Sequence, residues 1–264
     1  MGRFTDIYRE IQDVIFPPRC PVCDGLLSPY EQLIHSDCKK KLIEIKQPVC
    51  MRCGKTVVTE RHEYCDDCKR TVEDCRKYRK KDFYKQGKAL FGYKGSIKES
   101  MYRFKYANRR EYAAFFAETA VDKYAEWIRQ CGIEVIVPVP MHKRKRRERG
   151  YNQAECFGRQ LSEKTGIPMA RGLVRRVKNT EPLKQLGYVE RKKNLDGAFQ
   201  VLDSIVKYDH ILIVDDIYTT GSTVDAAAEA LMSAGVKKVY VLCICIGGGD
   251  GGGLDNGSKS LQNM

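Results

Sequence analysis

The sequence predicts an α/β fold, a parallel sheet flanked by helices, preceded by two small metal-held units. Three observations carry this. Apolar, β-branched runs alternate with helical patterns over residues 89–246, the pattern of strands laid parallel with helices on their faces. A cysteine and histidine pattern repeats after thirty residues in the N-terminal third. One apolar strand runs straight into two acids, a hydroxyl-rich loop and an alanine-rich helix.

In chain order, residues 4–16 read as a short amphipathic helix ended by Pro17 and Pro18. Eight of the twelve cysteines follow within residues 20–75, then a basic linker to about residue 88. ALFGYKG reads as a strand, and SIKESMYRFKYANRREYAAFFAETAVDKYAEWIRQ as one long helix or two. IEVIVPVP, ILIVDD and KVYVLCICI are strands. NQAECFGRQLSEKTG and STVDAAAEALMSAG are the helices between them. The tail GGGDGGGLDNGSKSLQNM is too poor in hydrophobic residues to pack and is expected to be disordered. The expected segments are 1–17, an N-terminal helix; 18–76, the two metal units; 77–88, the linker; 89–246, the α/β domain; and 247–264, the tail.

No apolar run approaches the ~20 residues that cross a bilayer, so no membrane insertion is expected. The N-terminus carries acids and does not read as a signal peptide. That points to the cytoplasm, where cysteines serve as metal ligands and buried thiols. The net charge of +13 and pI near 9.1 favour polyanionic partners: nucleic acid, anionic lipid or phosphorylated small molecules.

The repeat has a chemical reason. Cys20-Pro-Val-Cys23 is followed after eleven residues by His35-Ser-Asp-Cys38, and Cys50-Met-Arg-Cys53 after eleven by Cys65-Asp-Asp-Cys68. Two knuckle turns from opposite ends of a hairpin close a tetrahedral site, and zinc accepts imidazole beside thiolate. Closed four-ligand sites are structural, so two structural Zn²⁺ ions are expected. An iron–sulfur site is the competing reading, but the usual clustered cysteine run is absent. His62 competes for the second site, or is a solvated hairpin residue. Cys75, Cys131, Cys156, Cys243 and Cys245 fall outside the repeat; Cys243 and Cys245 share one face of a buried strand and read as core.

The segment Ile211–Thr223 is the most informative. Gly221 lets the backbone turn tightly, and the N–H groups of residues 219–223 can converge on an anion at a helix N-terminus. Thr219, Thr220, Ser222 and Thr223 add hydroxyls. Asp215 and Asp216, beside such a loop, suit a sugar diol and a Mg²⁺ ion. The plainer alternative is a helix capped by Ser222 or Thr223. Pro140, Met141 and His142 follow another strand at its carboxyl end. Lys143 to Arg149 then places six bases in seven residues, either a solvated face or an anion contact.

Residues 211–223 resemble the signature of type I phosphoribosyltransferases. VPVPMHKRKRRERGYNQAECFG, VKNTEPLKQLGYVERKKNLDGAF and YKGSIKESMYRFKYANRREYA resemble three blocks of the ComF family, whose members typically join a double zinc ribbon to a phosphoribosyltransferase-like domain. Two positions depart from the family: His35 stands where cysteine is common, and Leu183 where many members have glutamine.

The resemblance implies a type I phosphoribosyltransferase fold with an N-terminal double zinc ribbon. It implies that Asp215 and Asp216 hold the ribose hydroxyls of Mg²⁺-bound phosphoribosyl pyrophosphate (PRPP), and that residues 219–223 hold its 5-phosphate. Pro140, Met141, His142 and Arg149 would lie toward the pyrophosphate. Residues 178–194 would form a closing loop in which Lys178 and Arg191 contact pyrophosphate or are simply surface bases. The physiological role implied is handling of incoming single-stranded DNA during competence, beside a helicase-like partner. Arg103, Lys105, Arg109, Arg110, Lys143, Arg144 and Arg147 are the candidate nucleic-acid contacts, although helical spacing is expected to bury Phe104 and one neighbouring tyrosine. An enzyme with an unidentified acceptor, a non-catalytic zinc-ribbon scaffold and a PRPP-sensing regulator all fit this sequence.

Overall fold

The computed structural model describes residues 17–28, 33–77, 82–178, 195, 197–202 and 208–247. The expected helix over 4–16 and the tail from 248 onward lie outside the described residues.

Four strands form the central sheet: β1 (Gln86–Gly92), β2 (Val135–Pro138), β5 (His210–Tyr218) and β6 (Lys238–Ile246). Their order is β1-β6-β5-β2, and every pairing is parallel. β1 begins before the ALFGYKG run because Gln86 to Lys88 already pair with Tyr240 to Leu242. β5 runs two residues past the acids, with Tyr218 opposite Ile246. A second, antiparallel pair joins β3 (Val174–Arg176) to β4 (Phe199–Val201).

The helices are α1 (Ser36–Lys39), α2 (Asp66–Lys77), α3 (Gly95–Tyr106), α4 (Tyr112–Gln130), α5 (Lys143–Arg149), α6 (Gln153–Thr165) and α7 (Ser222–Ser233). The long helical pattern over 96–130 splits in two. The break is at Asn108, whose φ of 54° is left-handed and tolerated by Asn better than by most residues.

Side chains alternate across each strand, so the sheet divides the interior in two. Leu212, Val214 and Leu242 face α3, α4 and α6 through Phe104, Phe116 and Phe157. Ile211, Ile213 and Val241 face α7 through Val224 and Ala228. The two cysteine units straddle this division. Cys20, Val22, Leu27 and Cys38 join the first core, and Cys50, Cys53, Val57 and Cys68 join the second. Cys243 and Cys245 are both fully buried, but Cys243 belongs to the second core and Cys245 to the first. They do not share one face as their spacing suggested.

The chain between the units and the second knuckle together cover β1, an outer strand of the sheet. Gly92 N–H donates to the Ile43 carbonyl at 3.3 Å and Gly87 N–H to the Arg52 carbonyl at 2.6 Å. A side chain at Gly54 would sit 2.9 Å from the Gly87 carbonyl, so the approach depends on glycine there. An open strand edge invites pairing with other chains; here the metal units shield it. No helix among the described residues is long and apolar enough to cross a membrane.

Candidate ribose-phosphate site and zinc clusters

The donor atoms of Cys20, Cys23, His35 and Cys38 lie within 4.8 Å of one another, as do those of Cys50, Cys53, Cys65 and Cys68. Tetrahedral zinc, bound at about 2.3 Å by each thiolate, spaces its sulfurs by about 3.8 Å. Cys53 Sγ and Cys65 Sγ are 3.7 Å apart. In the first cluster Nδ1 of His35 is the inward nitrogen, 3.3 Å from Cys23 Sγ, while Nε2 faces the Leu26 carbonyl at 3.0 Å. That second contact fixes the tautomer in which Nδ1 is unprotonated, as a metal ligand must be. Both sets therefore fit zinc. His62 bonds Thr59 at 2.8 Å and belongs to neither cluster.

The acid pair sits inside β5, beyond Val214, the last residue that β2 pairs. Thr219 and Thr220 follow, and Gly221 enters α7 with φ 84°. A Cβ at Gly221 would collide with the Tyr218 hydroxyl, so both chirality and space demand glycine. α7 has no side-chain cap. The capping alternative for Ser222 and Thr223 therefore fails: Thr220 Oγ1 and Ser222 Oγ meet each other at 3.0 Å. The first N–H groups of α7 keep their positive end for an anion.

Cations surround the acids. Lys105 Nζ lies 2.8 Å from Asp216 Oδ2. Burial works against the charge on Lys105, yet Asp216 more than offsets it, and its pKa is raised. Burial, reinforced by Asp216, pushes Asp215 up to about 8, against the pull of Lys105 and Arg176. Lys145 is lowered by burial and by Arg176, Arg149 and Lys105. Lys105, Lys145, Arg149 and Arg176 thus form one field beside two carboxylates. Lys145 and Arg176 escaped the sequence reading; the one signal for Lys145 was its place on the inner side of a basic helical turn.

Residues 149–153 work mainly as a clasp. Gly150 ends α5 with φ 78°. The Tyr151 hydroxyl and the Gln153 amide both donate to the Phe104 carbonyl. Asn152 caps α6 through Ala154 N–H at 3.1 Å and donates to the Val139 carbonyl at 2.9 Å. The Pro140–His142 loop is thereby held beside α6, and His142 caps α5 by accepting from Arg144 N–H at 3.3 Å. Pro138, Pro140, Met141, His142, Lys143 and Arg176 line one side of a cavity of about 1010 Å³. Lys178 closes on Gly197, where a Cβ would sit 3.4 Å from its Nζ. Arg191 lies outside the described residues.

The candidate nucleic-acid residues divide. Arg103 donates to the Val22 carbonyl at 2.6 Å, and Arg109 makes two bonds to Asp24 at 2.7 and 2.9 Å. They tie the first zinc knuckle to α3 and to the turn that follows it. Arg110 lies 4.6 Å over the Tyr151 ring. Lys143, Arg144 and Arg147 are exposed, with Arg144 paired to Glu148. Phe104 is buried as its spacing implied, but neither neighbouring tyrosine is. Tyr102 and Tyr106 are 65% and 59% exposed. Their rings lie 5.1 Å apart, with the Arg149 guanidinium 5.0 Å from the Tyr106 centroid. They sit four residues apart on the outer face of α3, away from the stripe that buries Met101 and Phe104.

The double zinc ribbon domain family matches residues 11–69, and the phosphoribosyl transferase domain family matches residues 163–262. Competence protein ComFC of Bacillus subtilis is 28% identical over 220 residues, 80% of this chain and 82% of that one. Competence protein F of Haemophilus influenzae is 37% identical over 110 residues, 41% of this chain. Those residues span 48% of that protein, so the match covers about half its length. The DNA utilization protein YhgH of Salmonella typhimurium is 33% identical over 148 residues, 55% of this chain and 65% of that one.

Proposed function

As a chain that joins a double zinc ribbon to a phosphoribosyltransferase domain and is homologous to competence proteins F and ComFC, it is, we propose, a cytoplasmic protein that binds Mg²⁺–PRPP and handles single-stranded DNA during competence. One observation carries the ligand reading: an acid pair in β5 runs into an uncapped helix N-terminus through a left-handed glycine whose Cβ position is filled by the Tyr218 hydroxyl.

In this reading Asp215 and Asp216 accept hydrogen bonds from the ribose hydroxyls. The N–H groups of residues 219–223 and the hydroxyls of Thr219, Thr220, Ser222 and Thr223 hold the 5-phosphate. Lys105, Lys145, Arg149 and Arg176, grouped beside the acid pair, neutralise the pyrophosphate. Arg191 belongs to the same reading as a pyrophosphate contact. Mg²⁺ would be held by carboxylate oxygens of the acid pair together with the ligand, and supplies further charge neutralisation to the departing pyrophosphate. Positioning and charge stabilisation of this kind are what a phosphoribosyl transfer asks of the protein.

The DNA reading rests on a separate feature, the exposed Tyr102–Tyr106 pair with Arg149. Aromatic faces beside guanidinium groups take unstacked bases whatever their sequence. The names of ComFC, competence protein F and YhgH point the same way.

Calorimetric titration of the zinc-loaded protein with PRPP and Mg²⁺ tests the ligand reading. Wild type binds, and the folded Asp215→Asn, Asp216→Asn variant does not. A folded wild type that gives no heat with PRPP would return the domain to the scaffold reading.

A further inference from the structure

Arg52 is the third residue of the second zinc knuckle, Cys50-Met51-Arg52-Cys53. Its neighbour Met51 is 58% exposed, whereas Arg52 is 3% exposed. A buried guanidinium is tolerated only where acceptors meet it on every side, and Arg52 is met so. Its Nε and Nη2 donate to Asp82 at 2.9 to 3.1 Å. Nη2 also donates to Asp225 Oδ1 at 2.5 Å, and Nη1 to the Tyr84 hydroxyl at 2.8 Å. Nη1 points as well at Cys68 Sγ, 4.0 Å away.

Two of these partners lead to the phosphate loop. Asp225 lies in the first turn of α7, where its N–H bonds the Gly221 carbonyl at 2.8 Å. The Tyr84 hydroxyl meets the Tyr218 hydroxyl at 2.8 Å, and that hydroxyl fills the space a Cβ at Gly221 would need. Both ends of residues 218–221 therefore bear on one guanidinium, which itself leans on a zinc ligand. The first knuckle is tied elsewhere, by Arg103 of α3 and by Arg109 in the turn before α4, on the opposite face of the sheet.

We infer that Arg52 is a positioning residue that couples the second zinc cluster to the phosphate loop, so that metal retention at Cys50, Cys53, Cys65 and Cys68 and ribose-phosphate binding at residues 219–223 support each other. The coupling rests on the ribose-phosphate reading for its ligand but not for its geometry. Such linkage is reciprocal in binding free energy: ligand in the loop tightens the second zinc, and loss of that zinc weakens ligand binding.

The test uses the full chain with two zinc ions per molecule, as Arg52→Met, Arg52→Lys and Asp225→Asn, with Arg109→Ala as a control on the first knuckle. The first readout is hydrogen exchange of the backbone amides over 218–226, which needs no ligand. Exchange there rises about tenfold in the Arg52 and Asp225 variants, as expected when a hydrogen bond to a charged group is removed, and stays at the wild-type rate in Arg109→Ala. The second readout is titration with PRPP and Mg²⁺, in which the same variants bind about tenfold more weakly. The third is equilibrium competition for zinc with a chelator, in which PRPP raises the affinity of one of the two ions. Should Arg52→Met not fold, Asp225→Asn, placed on α7, carries the test. Wild-type exchange over 218–226 in a folded, zinc-loaded Arg52 or Asp225 variant overturns the coupling. Raised exchange in a protein whose wild type binds no PRPP overturns the ribose-phosphate reading and leaves the coupling standing.

Discussion

Lys105 reaches Asp216 at 2.8 Å, and with that contact the acid pair holds together without a ligand. Two carboxylates one residue apart repel, and the pair is relieved in two ways: a lysine neutralises Asp216, and Asp215 titrates near 8. A second lysine shows the opposite situation. Lys88 in β1 has its pKa lowered by burial and, among the described residues, no carboxylate partner. Its charged form is disfavoured in the fold, so it costs stability at neutral pH, and the cost fades as pH rises from its lowered pKa to the usual 10.5. Lys88→Met is expected to raise the melting temperature by roughly 2 °C at pH 7. That gain should shrink toward zero above pH 11; a gain unchanged by pH would point to packing instead.

At the scale of elements, the loops at the carboxyl ends of β2 and β5 are held by different means. The β5 loop depends on Gly221 and on the hydroxyl of Tyr218. The β2 loop depends on Asn152, only 4% exposed, which caps α6 and bonds the Val139 carbonyl at once. Asn152→Ala removes a cap and strands a buried carbonyl, a loss of about 2 kcal/mol or more. Chemical denaturation measures this as a lower midpoint at unchanged slope. PRPP titration of the same variant should weaken, because the Pro140–His142 loop loses its tie to α6.

Across the whole molecule, the zinc ribbons brace a sheet. Each inserts into one of the two cores, and the chain between them, with the second knuckle, covers β1. The excess of +13 charges is divided between inward and outward work. Arg52, Arg103, Lys105 and Arg109 are engaged within the molecule, while Lys143, Arg144 and Arg147 are exposed on α5, the helix whose last residue, Arg149, meets Tyr106. On the proposed function, binding of single-stranded DNA weakens with salt. Arg144→Ala with Arg147→Ala should reduce the slope of log K against log salt by about 0.7 for each phosphate no longer neutralised. Tyr102→Ala with Tyr106→Ala should weaken binding about tenfold or more at fixed salt and leave that slope alone. Fluorescence anisotropy with a labelled oligonucleotide separates the two, and equal slopes in all variants would remove the basic helix from the interface.

The sequence by itself determined everything governed by local spacing. Apolar, β-branched runs located the four strands of the sheet, which is buried on both faces, and period-3.6 patterns located the major helices, each of which buries one. The two zinc clusters were legible because metal ligation demands fixed intervals, and the turn from Asp215 to Thr223 because it is built from consecutive residues. The tertiary structure decided what no interval encodes. Helical periodicity in α3 identified Phe104 as buried but could not say how wide the buried stripe is, and so left both tyrosines free. Basic residues look alike in a sequence. Only packing across 173 positions of chain joins Arg52 to Asp225, or turns Arg103 and Arg109 toward a zinc knuckle, because the partner of a buried charge is chosen by the fold that desolvates it.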